Sequence, residues 1–382
     1  MALPSPPPEA AAHSERVLEA IRAEIRANSG WISFERYMEL ALYAPGLGYY
    51  MAGARKLGRE GDFVTAPEIS PLFGRTLARQ ARQVLDAGFD EVLEVGAGSG
   101  ALAATLLEEL ERTGAPPRNY YILELSPDLR ERSRDLLAQK VPHLLERVAW
   151  LNRLPPQFSG LAIGNEVLDA MPVHVIERSG DSVDECGVGL GDGALRWAKR
   201  AASGEIAAGA LALPLPFASY RTEIHLAAGG FVRSLAQMLE RGVAIFIDYG
   251  FPAREYYHPQ RSSGTLMCHY RHRAHDDPFF LPGLQDITSH IDFSAIAAAA
   301  HEGGLEVLGY ASQAQFLVNC GITDILGRED PSKASTYLPL SNQADKLLSP
   351  AEMGELFKVI ALGRGFDAPL LGFASGDRAR AL

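Results

Sequence analysis

Residues 91–100, EVLEVGAGSG, set one carboxylate and three glycines in an E-x-G-x-G-x-G frame: Glu94, Gly96, Gly98 and Gly100. The apolar run before the glycines reads as a buried strand, and ALAATLLEEL after them reads as a helix with one apolar face. Such a strand, turn and helix let a ligand approach the backbone closely at the turn. Two ligands suit it: a dinucleotide through its pyrophosphate, or S-adenosylmethionine through its amino-acid end. A dinucleotide fingerprint puts its third glycine one position later, where this chain has Ala101, a mild departure because alanine is tolerated there. Glu94 carries more weight. A carboxylate at the strand end repels a pyrophosphate, whereas it orders the turn or faces the ammonium of S-adenosylmethionine. Glu124, which ends the next apolar strand in RNYYILELSP, is placed to accept both ribose hydroxyls of either ligand and does not separate them.

A second constellation lies in GNEVLDAMP, where Asn165 and Glu166 sit just past a strand end and Asp169 follows three residues later. Strand ends are where open α/β sheets place ligands. Methyl transfer from a sulfonium is an in-line displacement, so the protein must align donor and acceptor, exclude water and leave the acceptor lone pair available. A guanidinium acceptor also needs its cation held, which paired carboxylates do through fork geometry. The plainer alternative makes Asp169 a helix cap and leaves Glu166 in water. In GDFVTAPEIS, local chemistry reads as a turn and a capped helix, with Thr65 as a possible cap and Pro67 and Glu68 in the first turn. Tyr49 and Tyr50 read as packing residues.

His269, His272 and His275 recur every third residue beside Asp276 and Asp277, but no metal site is expected, since no HExxH-type helix gathers them. Asp286, His290 and Asp292 read as ordering a substrate loop, with Asp286 and His290 on one face if the segment is helical. No G-x-S-x-G elbow supports a hydrolase.

The elements that must position these residues alternate. Helices are expected over 14–28, 70–88 and 128–140, and apolar strands over 91–95, 147–151, 160–167 and 242–250, besides the one ending at Glu124. That alternation implies an α/β fold with a parallel sheet and crossover helices. Residues 173–200 break it with alternating residues and glycine turns, which predicts inserted β-hairpins. A helix is expected in the second half of 205–241, a long loop over 251–290, a polar helical stretch over 312–355, and final strands in GLEVLGYAS and LFKVIALGRG.

At 382 residues, 47% hydrophobic and 22% charged, the chain can bury one main core plus a substantial lobe. A formal net charge of −11 argues against tracking nucleic acid and suits a basic protein partner. Cys186, Cys268 and Cys320 are unclustered, which argues against a disulfide framework and for a reducing, cytoplasmic setting. No apolar run reaches membrane-spanning length, and MALPSPPPEAAAHSE reads as a disordered leader over 1–13.

With these motifs in hand, the chain resembles the MidA-like class I S-adenosylmethionine-dependent methyltransferases. The blocks carrying the likeness run in order: GYYMAGARKLGREGDFVTAPEISPLFG (48–74), EVLEVGAGSG (91–100), YILELSP (121–127), GNEVLDAMPV (164–173), FIDYG (246–250), stretches of 264–293 including GLQDITSHIDF, and FKVIALGRG (357–365). The resemblance implies a Rossmann-like seven-strand sheet with a reversed final hairpin, an N-terminal helical lid and donor-covering loop over 14–88, and core over 89–172. It also implies an inserted β-hairpin and helical substrate lobe over 173–240, then further core over 241–372 with a substrate loop at 251–293. S-adenosylmethionine is the implied cosubstrate and an arginine-containing protein the implied partner, since mitochondrial members assist respiratory complex I assembly as protein arginine methyltransferases. Donor contacts are expected from Glu94, Gly96, Gly98, Gly100, Glu124, Gly61, Thr65, Ser70 and Asn165, and acceptor contacts from Asn165, Glu166 and Asp169. Two other readings stay open: a non-catalytic assembly module retaining the fold, and an NAD-dependent enzyme.

Overall fold

In the computed structural model, which describes residues 3–53 and 64–382, the glycine frame follows strand β1 (Glu91–Val95). The other strands on the main path of its sheet are β2 (Asn119–Leu123), β3 (Val148–Leu151), β4 (Phe158–Asn165), β5 (Leu239–Phe251), β6 (Glu306–Ser312) and β7 (Phe357–Arg364). Their spatial order is β3-β2-β1-β4-β5-β7-β6. Neighbours from β3 to β5 are parallel, and β7 runs antiparallel to both β5 and β6. This is the expected seven-strand order with its reversed final hairpin. The central strands are nearly unbroken apolar runs because each is covered on both faces; Val243, Ala244, Ile245, Phe246 and Ile247 of β5 are all buried.

The chain divides into two compact units. One comprises Val64–Val167, Phe231–Gly250 and Ile296–Leu382, and the other Met1–Phe63, Leu168–Gly230 and Phe251–Ala295. In the first, helix Ala101–Arg112 buries Leu102, Leu106, Leu107 and Leu110 at helical spacing. Helix Pro71–Asp86 starts with proline, whose fixed φ suits a first turn, and buries Leu72, Phe73, Leu77, Ala81 and Val84 in the same core. It was expected within an N-terminal lid. Its apolar face belongs instead to the sheet unit, because that face is too extensive to leave unpacked.

The second unit holds the predicted hairpins. His174–Ser179 pairs with Ser182–Gly191, which pairs in turn with Ala194–Ala201. Asp192 (φ 52°) and Gly193 (φ 80°) make the second turn, the left-handed pair that a two-residue hairpin loop demands. Trp31–Ser33, paired with Ser182–Gly191, and Ser219–Ile224, paired with His174–Ser179, complete this sheet. The latter strand was not foreseen within 205–241. A smaller sheet joins Met267–Tyr270 to Arg273–His275 and to Asp286–Thr288. Asp286 is therefore on a strand, and the helical face it was expected to share with His290 does not form. Helix Pro8–Ala27 begins inside the segment expected to be disordered. Pro8 at its first turn and the helix-forming EAAA that follows start it early. Val17, Ile21 and Ile25 then bury against Phe34, Tyr37 and Met38 in one cluster.

Candidate active site

The turn after β1 is built entirely within the sheet unit. Gly96, Gly98 and Gly100 have φ of 68°, 55° and 85°, the left-handed region that side chains disfavour. At Gly100 a Cβ would lie 2.9 Å from the Ser133 Cβ and 3.0 Å from its Cα, so helix 127–140 leaves no room for one. The glycines therefore serve conformation and closeness together, and they leave a bare backbone loop in front of helix Ala101–Arg112.

Carboxylates surround that loop. Glu124 accepts from the Gly98 N–H through Oε2 at 3.2 Å and from the Ser126 N–H through Oε1 at 2.9 Å. Glu94 is 2% exposed and accepts from the Tyr120 hydroxyl at 2.6 Å. Burial pushes the Glu94 carboxyl up to about 7, opposed by the Tyr120 hydrogen bond and reinforced by the charge of Glu124. Glu68, in the four-residue helix Ala66–Ile69, accepts from the Ser99 hydroxyl. Negative groups so close to the loop suit a cationic cosubstrate with hydroxyls and oppose a pyrophosphate. A cation beside Glu94 would draw its proton off.

Asn165 ends β4, and Glu166 follows with φ 53°, a conformation uncommon for a residue with a side chain. Its N–H donates to Ile247 O at 2.8 Å. Its carboxylate Oε1 accepts from Asn165 Nδ2 at 3.1 Å and from the Ala66 N–H at 3.3 Å. Asn165 Oδ1 is buried and has no hydrogen-bond partner among the described residues. Ser70 is buried, and its Oγ accepts from the Leu72 N–H at 3.2 Å as the cap of helix Pro71–Asp86. Thr65 precedes helix Ala66–Ile69, where its side chain makes no capping bond. Gly61 lies outside the described residues.

Asp169 belongs to the other unit. It is 5% exposed, and its backbone carbonyl accepts from the Ser289 N–H at 3.0 Å. Nearby in that unit the Tyr50 hydroxyl donates to Asp286 at 2.8 Å. Burial and the charges of Asp286, Tyr43 and Asp169 hold Tyr50 protonated, well above the ordinary tyrosine range. Tyr50 also stacks on Tyr43 with ring centroids 5.4 Å apart, so its packing role is real and it carries a polar bond as well. Asp292 caps helix Phe293–Glu302 through the Ser294 and Ala295 N–H groups. Among the described residues, no group of three His, Cys, Asp or Glu side chains is arranged to hold a metal.

Three side chains at the sheet-unit site carry more than their sequence setting suggested. Ser99 is a lone hydroxyl among glycines, and Glu68 had read only as a first-turn acid. Asp248, a single acid in the apolar FIDYG strand, is 1% exposed and accepts from the Val167 and Tyr249 N–H groups. It fixes the backbone one residue beyond Glu166. The available signal was a charged residue interrupting an otherwise apolar strand.

Residues 72–311 match the family model described as S-adenosyl-L-methionine-dependent methyltransferase. The chain is similar to a Burkholderia thailandensis protein crystallised with S-adenosyl-homocysteine: identity is 54%, the TM-score 0.96, and the match covers 100% of both chains. It is 28% identical to the Drosophila melanogaster protein arginine methyltransferase NDUFAF7 homolog, across 97% of this chain and 92% of that one. The human mitochondrial protein arginine methyltransferase NDUFAF7 is also 28% identical, across 88% of this chain and 80% of its own length.

Proposed function

This chain belongs to the S-adenosylmethionine-dependent methyltransferases, and from that premise we propose that it methylates an arginine nitrogen of a protein. The cosubstrate supplies a methyl group on a sulfonium. The proposed donor contacts are Glu94, Gly96, Gly98, Gly100, Glu124, Gly61, Thr65, Ser70 and Asn165, with the glycine loop giving backbone N–H groups and Glu124 accepting ribose hydroxyls.

The observation that carries the acceptor reading is Glu166, held in a left-handed conformation with Oε1 fixed by two N–H groups. Backbone strain of this kind costs on the order of 1 kcal/mol and persists where the surroundings enforce it, a frequent mark of a working site. An ionised carboxylate accepts and does not donate, so the group it serves must bring hydrogen-bond donors, and a guanidinium brings several with a matching charge. Asp169 keeps its place in the proposal as the second acid of the same chain block. The relatives named as protein arginine methyltransferases support the choice of nitrogen and of a protein substrate. Buried, free Cys186, Cys268 and Cys320 support a reducing compartment such as the cytoplasm.

The test incubates a whole lysate with enzyme and isotope-labelled S-adenosylmethionine and maps the label by mass spectrometry. Label on arginine is expected, and label confined to lysine or oxygen would reject the proposal. Glu166→Gln should lower transfer about 100-fold while leaving S-adenosylhomocysteine affinity within about twofold, because glutamine still accepts from the Ala66 N–H.

A further inference from the structure

Helix Ala66–Ile69 touches two parts of the sheet unit at once. Glu68, in its first turn, accepts the hydrogen bond of Ser99, whose hydroxyl stands between Gly98 and Gly100 in the donor loop. Ala66, at its start, donates its N–H to Glu166 at 3.3 Å. Ala66 is itself fully buried in the core cluster that contains helices Pro71–Asp86 and Ala101–Arg112, so the short helix is anchored from below.

A loop with three left-handed glycines has much conformational freedom to lose on ordering. A charge-assisted bond to the one hydroxyl in that loop removes part of the freedom before the cosubstrate arrives, and preorganisation raises affinity by lowering the cost of binding. The position is also favourable for an acid, because Ser99 immediately precedes Gly100, which starts helix Ala101–Arg112.

We infer that Glu68 is a positioning residue for methyl transfer: helix Ala66–Ile69 straps the glycine loop, through Ser99, to the Glu166 carboxylate and holds both ready for the donor. This goes beyond the choice of acceptor and is read out on the donor alone. Calorimetric titration of the full-length protein with S-adenosylhomocysteine compares Glu68→Ala, Glu68→Gln, Ser99→Ala and the double variant Glu68→Ala with Ser99→Ala. Each alanine change is expected to weaken binding about tenfold, and the double variant no further, because one bond is lost in all three. Glu68→Gln, which keeps an acceptor for Ser99, should recover most of the loss. Glu166→Ala removes the acceptor of the Ala66 N–H and should cost about threefold in the native background, yet nothing once Glu68 is alanine. Melting temperatures establish that the variants are folded. Should Glu68→Ala not fold, Ser99→Ala, which deletes one hydroxyl, decides the loop contact, and Glu166→Ala paired with Ser99→Ala decides the strap. Affinities within twofold of wild type for folded Ser99→Ala would overturn the loop contact, and losses that multiply across Glu166 and the loop would overturn the strap.

Discussion

Replacing Glu94 with glutamine should change how stability depends on pH more than stability itself. The carboxyl is 2% exposed, and its folded-state titration lies near 7 against 4.5 in an open chain, with burial as the leading cause. Below pH 4.5 both states hold the proton and nothing is lost. As pH rises, the unfolded chain releases its proton first, so the native state binds more protons and stability falls until pH passes about 7. The full loss is about 3 kcal/mol. Most of it falls between about pH 5 and pH 8. The neutral glutamine cannot lose a proton, while its side-chain oxygen still accepts from Tyr120. Urea unfolding of both proteins at these two pH values should show Glu94→Gln gaining on wild type by about 2 to 3 kcal/mol at the higher pH, with all other titrating groups cancelling in the comparison. A gap that stays constant would refute the assignment. The same group gives a second reading with ligand. At pH 6 the ammonium of S-adenosylhomocysteine should expel the Glu94 proton, so the calorimetric heat should depend on the ionisation enthalpy of the buffer in wild type and not in Glu94→Gln.

Gly100→Ala should destabilise the chain by about 2 kcal/mol in urea unfolding, because φ is 85° and the new methyl meets Ser133 backbone and side chain near 3 Å. Stability unchanged by that methyl would show that helix 127–140 shifts at little cost. Glu124→Ala removes the proposed partner of two ribose hydroxyls and should weaken S-adenosylhomocysteine binding about 100-fold by calorimetry. A loss under about fivefold would place the ribose elsewhere. The corresponding expectation for Glu166→Gln is a fall in transfer with donor affinity kept, and unchanged turnover would remove Glu166 from the acceptor site.

Much of the sheet was legible because its signals are local. The apolar runs of β1, β4 and β5 and the glycine frame after β1 need only neighbours along the chain to be read, and the Asp192–Gly193 turn announces its hairpin through two residue types. What escaped was decided by distant partners. Of helix Pro8–Ala27 the part expected over 14–28 forms as read, and only its first turns, taken as leader, escaped; His13 there bonds the Leu47 carbonyl 34 positions away. Strand Ser219–Ile224 lies within 205–241, where only a helix was expected, and it becomes a strand by pairing with His174–Ser179. Asp286 is on a strand because Met267–Tyr270 offers it an edge.

The site divides along the same line. Residue types at a strand end pointed to Glu94, Glu124 and Glu166, since chemistry restricts what belongs there. The contacts that hold them could not be read that way. The Ala66 N–H reaches Glu166 across 100 positions of chain, Ser99 reaches Glu68 across 31, and Asp248 reaches the Val167 N–H across 81. Each uses a backbone group or a common polar side chain, which carries no composition signal of its own. The left-handed backbone of Glu166 follows from the same cause. A residue with a side chain is held at φ 53° because its N–H bonds Ile247, its carboxylate bonds Ala66 and Asn165, and its neighbour Val167 bonds Asp248. No one of these bonds, worth about 1 kcal/mol net, exceeds the strain by a wide margin, but four acting together do. Removing any one should therefore leave the turn formed.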